Sequence, residues 1–311
     1  MNSDTKYRLV TRSDMDGLVC AFLLKELGML DSIKFVHPKD VQDGKVELGP
    51  ADITTNLPYS EKVHMAFDHH ASEITRVGAE NKNQVIIPTA PSAARVVYEH
   101  FGGKKAFPRV SDELMAVVDK ADSAQFTKDE ILHPTGWTLL SFLTDARTGL
   151  GRFKNFTISN YDLMMALSDY CGSHSIEQIL QLPDVKERVD LYFELEEKFK
   201  DQIKRCAAVH GKVVALDLRN EETVYPGNRF MVYALHPQCT VSMHIMWGLQ
   251  KQNVSFAVGK SIIDRSAAVH IGDLMLEYGG GGHDAAGTCQ IEPERANAVR
   301  DELIQKLTAG A

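Results

Sequence analysis

Two short stretches of the 311-residue chain combine side chains that could hold a cation. Ser13, Asp14, Met15, Asp16 and Gly17 set two carboxylates two residues apart, and Phe67, Asp68, His69 and His70 place a carboxylate beside two imidazoles. Hard oxygen donors with borderline nitrogen donors suit manganese and related divalent ions better than structural zinc, which favours thiolate. Each stretch alone has a plainer reading. An Asp pair ahead of a helix can be an N-cap, and adjacent histidines are often surface residues. Brought together, three carboxylates beside two imidazoles would repel without a cation.

The elements that must position these residues are legible in the hydrophobic pattern. Residues 6–11, 33–37, 52–57 and 63–67 read as strands, while 17–27 and 91–101, the latter capped by Ser92, have helical spacing. Such alternation predicts a parallel sheet covered by helices, with functional groups where strands end and loops begin. From 111 to about 209 the pattern is mostly helical and ends in one long amphipathic helix over 185–209. Beyond it, 212–218, 230–235, 240–247 and 254–259 are strand-like, followed by the glycine run 279–282. The expected α/β organisation is an N-terminal parallel-sheet domain over 1–183, a linker helix over 184–208, and a smaller mixed α/β domain over 209–311.

The net charge is −8, which disfavours non-specific holding of long nucleic acid, since that binding needs a basic face. An anionic substrate would then need local positive charge. Lys260 and Arg265, and the pair Arg147 and Arg152, are the candidates, while Arg95 reads as a helix-surface residue. Cys20, Cys171, Cys206, Cys239 and Cys289 contain no CxxC pair and read as reduced packing residues. With no apolar run long enough for a membrane span and no apolar segment at the N-terminus, a soluble cytoplasmic chain without membrane partners is expected. No internal repeat is visible.

DMDG at 14–17, DHH at 68–70, ADSAQF at 121–126 and GGGGHDAAG at 279–287 resemble, in order and over nearly the whole chain, the motifs of the DHH phosphoesterase family with its DHH-associated C-terminal domain. The chain is most similar to small oligoribonuclease or nano-RNase-type members. The resemblance implies that Asp14, Asp16, His69 and Asp122 are metal ligands. It places His70 over the phosphate as a substrate contact or proton-transfer group, with Asp68 supporting the histidines. Asp119 is expected to be structural by helical phasing. Gly280, Gly281, Gly282 and His283 are implied in substrate binding across an interdomain cleft, with Arg265 nearby. Glycine lets backbone approach a ligand, and successive amides can form an anion-holding nest.

Two positions depart from the family pattern. Many members have a histidine four residues before the first motif aspartate, where this chain has Val10, so one ligand of a binuclear centre is missing. The second motif normally ends its strand in a bridging aspartate. If the third strand runs over 52–56, Asn56 holds the ligand end and Asp52 lies about 13 Å away. If it ends earlier, Asp52 is the bridge, and its charge makes it the better manganese ligand. One or two Mn2+ ions are expected, with Mg2+ or Co2+ as substitutes. The implied activity is a 3'-5' exoribonuclease-like hydrolysis of very short oligonucleotides to nucleoside 5'-monophosphates. Linear dinucleotides from cyclic dinucleotide turnover form the attractive substrate class, and a homodimer is a further expectation. A nucleoside 3',5'-bisphosphate phosphatase and a non-catalytic nucleotide-binding regulator are the alternatives.

Overall fold

The computed structural model describes residues 5–78 and 81–311. The chain forms two units, one of Met1–Gln125 with Pro134–Leu191, the other of Phe126–His133 with Tyr192–Ala311.

The first unit is built on five parallel strands, β1 (Tyr7–Arg12), β2 (Leu30–Val36), β3 (Asp52–Thr55), β4 (Met65–Asp68) and β5 (Gln84–Ile86), in the order β2-β1-β3-β4-β5. Their register decides what comes together. Thr11 lies opposite Thr55, and Thr55 opposite Phe67. The residues that follow, 12–16, 56 and 68–70, therefore leave the sheet along one carboxyl edge, where α/β folds collect their ligands.

The helix Met15–Glu26 begins at that edge, with Asp14 as N-cap accepting from the Gly17 amide at 3.1 Å. Every residue from Met15 to Leu24 is buried. A helix apolar on all sides must be enclosed, and this one packs against the helices Ala93–His100, Asp112–Asp122 and Asn160–Ser173.

The second unit holds six strands: β6 (Ala207–His210), β7 (Val213–Asp217), β8 (Val241–Trp247), β9 (Val254–Lys260), β10 (Gly281–His283) and β11 (Ala286–Ile291). They run in the order β10-β11-β9-β8-β7-β6. Only β7 and β8 pair in parallel, so the sheet is mixed. The helices Ile271–Leu276 and Ala296–Gly310 supply Ile271, Met275, Leu303 and Leu307 to a core with Val241, Met243, Val254 and Phe256.

Several expected elements differ in the structure. Residues 230–235, expected as a strand, contain the helix Met231–Leu235, whose Met231 to Ala234 are all buried. A short, uniformly buried apolar run has no period to distinguish the two states. The long helix is Pro183–Cys206, and the end of the expected stretch turns into β6, pairing with β7. Gly281 and Gly282 begin β10 instead of remaining in a loop. β5, only three residues long, gave no periodic signal. Among the described residues no helix is long and apolar enough to cross a membrane.

At Gly17 a Cβ would stand 2.0 Å from the Arg12 carbonyl oxygen and 2.8 Å from Thr11 Oγ1. Only glycine lets the first helical turn sit so close to the end of β1. We expect Gly17→Ala to destabilise the protein by about 1–3 kcal/mol through overpacking; urea unfolding with an unchanged midpoint would contradict this packing account.

Candidate metal centre

Asp16, one turn into the buried helix, is 1% exposed. Its Oδ1 accepts from the Ala94 amide at 2.7 Å, and its Oδ2 accepts from Asn56 Nδ2 at 2.7 Å and from the Ala93 amide at 3.3 Å. The start of the helix Ala93–His100, capped by the Ser92 side chain, thus points its amides at this carboxylate. Burial, then the charges of Asp122 and Asp14, still push its pKa up to about 8.

His69 enters from the end of β4. Its Nδ1 lies 3.1 Å from the Ala90 carbonyl oxygen, which fixes a proton on that nitrogen and makes Nε2 the atom that an ion can take once its own proton is displaced. Nε2 stands 2.8 Å from Asp122 Oδ2, an ion-pair distance without hydrogen-bond geometry. Burial disfavours charge on this ring, but Asp122, with Asp16 and Asp68 behind it, outweighs burial and raises His69 to about 9. On Asp122 burial again opposes ionisation, and His69 nevertheless holds its carboxyl below the ordinary range. Asp16, His69 and Asp122 offer ligand atoms all within 4.8 Å of one another.

Two further atoms bear on whether a cation fits. Asn56 Oδ1 and His69 Nε2 are buried and have no hydrogen-bond partner among the described residues. Asn56 follows β3 with a φ of 54°, a left-handed conformation that Asn tolerates better than most residues. Two carboxylates, an imidazole nitrogen and an amide oxygen make a hard-to-borderline donor set, and two of these buried atoms have no protein partner to compete with an ion. The residues present fit a divalent ion.

The other expected site residues are distributed unevenly. Asp52 is not brought to this group. It sits at the start of β3 opposite Arg8, whose guanidinium grips it through Nε to Oδ1 at 2.7 Å and Nη2 to Oδ2 at 2.9 Å, and the Gly49 amide donates to Oδ2 at 2.7 Å. Of the two second-motif candidates, Asn56 faces Asp16, although β3 formally stops at Thr55. Asp14 lies beside the group with its oxygens engaged, Oδ1 by Gly17 and Oδ2 by Arg12 at 3.1 Å. Asp68 Oδ1 is 2.8 Å from His70 Nδ1. Asp119 accepts from Ser92 and Arg95, and so braces the helix that serves Asp16. In the second unit His283 and Arg265 are exposed, and Lys260 pairs with Asp284 at 2.8 Å.

Sequence reasoning missed Arg8, Arg12 and the backbone groups of Ala90, Ala93 and Ala94. For Arg12 the signal was present: a cation two residues before the first motif aspartate, at the end of a strand.

A parallel sheet whose carboxyl edge gathers Asp16, His69 and Asp122, joined to a separate mixed-sheet unit carrying a glycine ribbon, defines a metal-dependent phosphoesterase of the DHH type. No family model matches the chain, and no curated protein matches it. Among solved structures, it is 60% identical to PggH, a pGpG-specific phosphodiesterase from Vibrio cholerae, with a TM-score of 0.84, covering 98% of this chain and 100% of that one. A likeness of fold alone links it to CDC45 from Entamoeba histolytica, at 10% identity and a TM-score of 0.50, over 98% of this chain and 96% of that one. The chain belongs to the DHH phosphoesterase family.

Two outcomes follow from this geometry. Without metal, Asp16 is mostly protonated below pH 8 and His69 below pH 9, and an ion must displace those protons. Binding of Mn2+ at pH 7 should release about one to two protons, with affinity rising toward pH 9 and then levelling. Calorimetry in buffers of different ionisation enthalpy reads this directly, and an affinity that is flat between pH 7 and 9 would refute the ligand set. Separately, Asn56→Ala should weaken Mn2+ binding by about tenfold or more. Asp52→Ala should leave affinity nearly unchanged while lowering stability by about 1–3 kcal/mol through the stranded Arg8; the reverse order of effects would restore Asp52 as the ligand.

Proposed function

We propose that this chain is a manganese-dependent phosphodiesterase that hydrolyses linear dinucleotides of the pGpG kind to nucleoside 5'-monophosphates in the cytoplasm. The observation that carries the reading is 60% identity along the full length of a pGpG-specific phosphodiesterase. The centre adds a chemical rationale, with Asp16, His69, Asp122 and the Asn56 amide oxygen as the holding residues. When bound, the ion polarises the phosphate and lowers the pKa of an attacking water.

The chain's own residues supply the remainder. The Ala93 and Ala94 amides orient Asp16, and Ala90 orients His69. Asp68 holds the Nδ1 side of His70, so Nε2 is the ring atom that can carry a proton. Water adds to phosphorus and gives up a proton to solvent, the P–O bond to the leaving 3' oxygen breaks, and His70, protonated on both ring nitrogens at the start, gives its Nε2 proton to that oxygen and regains one from solvent. Arg12 and Arg147 contribute positive charge: Arg12 pairs with Asp14, and Arg147, held by Asp145, lies in the field of Asp14 and Asp122. A cavity of about 220 Å³ opens in the same unit beside Ser13, lined also by Thr144, Asp145, Leu150, Asn160 and Met164. It is smaller than the roughly 300 Å³ at which small-molecule pockets begin.

In the second unit we assign Gly281 and His283 to remote holding of the substrate. A Cβ at Gly281 would meet nothing within 4 Å, so this position tests ligand approach without disturbing the fold. Incubating the protein with Mn2+ and a dinucleotide, a longer RNA, a nucleoside bisphosphate and pyrophosphate should show cleavage of the dinucleotide in strong preference. Preferred release of phosphate from the bisphosphate would replace this reading with the monoesterase. His283→Ala and Gly281→Val should keep manganese, lose dinucleotide hydrolysis by about tenfold or more, and suffer less on a small generic phosphodiester, because remote binding energy serves to position the scissile bond. Equal losses on both substrates would place His283 at the reacting phosphate.

A further inference from the structure

Among the described residues the largest fully buried side chain is a cation, Arg188, and the metal centre makes no use of it. Burying a guanidinium is costly unless its N–H groups are paired. Here Nη1 donates to the Asp184 carbonyl oxygen and to Glu187 Oε1, both at 2.7 Å, and Nη2 donates to the Ile158 carbonyl oxygen at 2.7 Å. The group also stacks over the Phe156 ring at 4.1 Å. Nε, the remaining donor atom, reaches Asn160 Oδ1 at 3.0 Å. A guanidinium has donors only, so the amide atom turned to it must be the oxygen. The Asn160 amide is therefore fixed, and its Nδ2, which has no hydrogen-bond partner among the described residues, is left to donate elsewhere.

That nitrogen lies at the wall of a cavity. A Cβ at Gly151 would stand 3.4 Å from Asn160 Nδ2, and Gly151 and Asn160 both line the cavity of about 220 Å³ beside Ser13. Leu143, Leu150, Leu163 and Met164 give it apolar walls, and Ser13, directly before Asp14, joins it to the carboxyl edge of the sheet. Apolar walls with a few placed polar groups are the makeup of a ligand site. The lining also includes the Asp145 carboxylate, whose charge repels a phosphate and favours a neutral ring. Asp145 is itself fixed, because the Arg147 amide donates to its Oδ1 at 2.9 Å and Arg147 Nε donates to the same oxygen at 2.7 Å.

Resting on the dinucleotide reading above, the geometry points to this cavity as the site of one nucleobase of the substrate, with Asn160 selecting guanine by donating from Nδ2 to the O6 carbonyl. Adenine carries an amino donor at that position, so two donors would face each other. Guanine N1–H, next to O6, suits the negative potential of Asp145, and the apolar walls cover the ring faces. Such a contact discriminates more sharply than shape does, because the wrong base leaves buried polar groups unpaired.

The test changes single groups of the ligand. Wild-type protein with Mn2+ should cleave pGpG and its inosine counterpart, which keeps O6 and lacks only the 2-amino group, within about threefold of each other. It should cleave pApA and the diaminopurine counterpart, which carry an amino group in place of O6, at least about tenfold more slowly. Asn160→Asp keeps an oxygen for Arg188 and suits the first turn of a helix, but replaces the donor by an acceptor. It should retain its thermal midpoint and Mn2+ affinity while the kcat/KM ratio of pGpG over pApA falls by about tenfold or more. Rejection of the inosine substrate, acceptance of the diaminopurine one, or an unchanged ratio in Asn160→Asp would overturn the proposal. The underlying reading fails differently. If wild-type protein cleaves none of these dinucleotides, equilibrium dialysis with GMP and AMP decides the base site alone: a preference for GMP that Asn160→Asp abolishes supports it, and no preference in the wild type removes it.

Discussion

The burial of the Asp16 carboxylate is the constraint on which the rest of the first unit depends. A charged group removed from water this completely must be compensated by hydrogen bonds, a counter-charge or neutralisation. The structure supplies part of each. Two amides from a helix start and one side-chain amide face it, yet its pKa is still lifted to about 8. Those partners are insufficient to hold full charge, and a cation shared with His69 and Asp122, as proposed above, would complete the compensation. The need to present Ala93 and Ala94 also explains the bracing behind them, where Ser92 caps the helix and joins Arg95 on Asp119.

The aspartates of this unit show that residue type alone does not define a ligand. Asp52 and Asp16 are both buried at strand or helix starts. One faces a guanidinium that satisfies both its oxygens; the other faces a neutral amide, backbone N–H groups and an imidazole. An aspartate already charge-balanced by Arg gains little from an ion and would leave a cation unpaired by turning to one.

Much of this centre was legible in the sequence because the parallel register is set by alternating strands and helices. DMDG and DHH follow apolar strands, and the sheet delivers both to one edge. Asp122 could be placed by its motif, and Asp119 separated from it by helical phasing. What could not be read was the choice between Asp52 and Asn56. It depends on Arg8 lying directly across from Asp52, a fact of cross-strand register, and on the positive φ of Asn56, a fact of backbone conformation. The Ala90, Ala93 and Ala94 groups leave no mark in side-chain types at all. In the second unit the error at Met231–Leu235 has a simple cause, since burial on every side erases the difference between helical and strand periods.

The glycine ribbon shows how a ligand motif and a packing motif can share one stretch of chain. A Cβ at Gly280 would lie 2.0 Å from the Thr288 carbonyl oxygen, and one at Gly282 would lie 2.2 Å from that of Ala286. Gly272, on the helix beside the ribbon, would meet the Gly282 carbonyl at 2.6 Å. These three glycines are required for β10 to lie against β11 and the helix Ile271–Leu276 with no side chains between them, whatever the ribbon binds. Gly279 and Gly281 both face open space, but Gly279 has a φ of 74°, a left-handed conformation that itself calls for glycine, whereas Gly281 does not. An absent side chain at Gly281 fills no packing need of the fold, which is why that position is the one assigned above to the substrate. The ribbon's own packing thus separates the glycines that the fold requires from Gly281, the position where a substitution reads ligand approach and not packing, with His283 two residues on along β10.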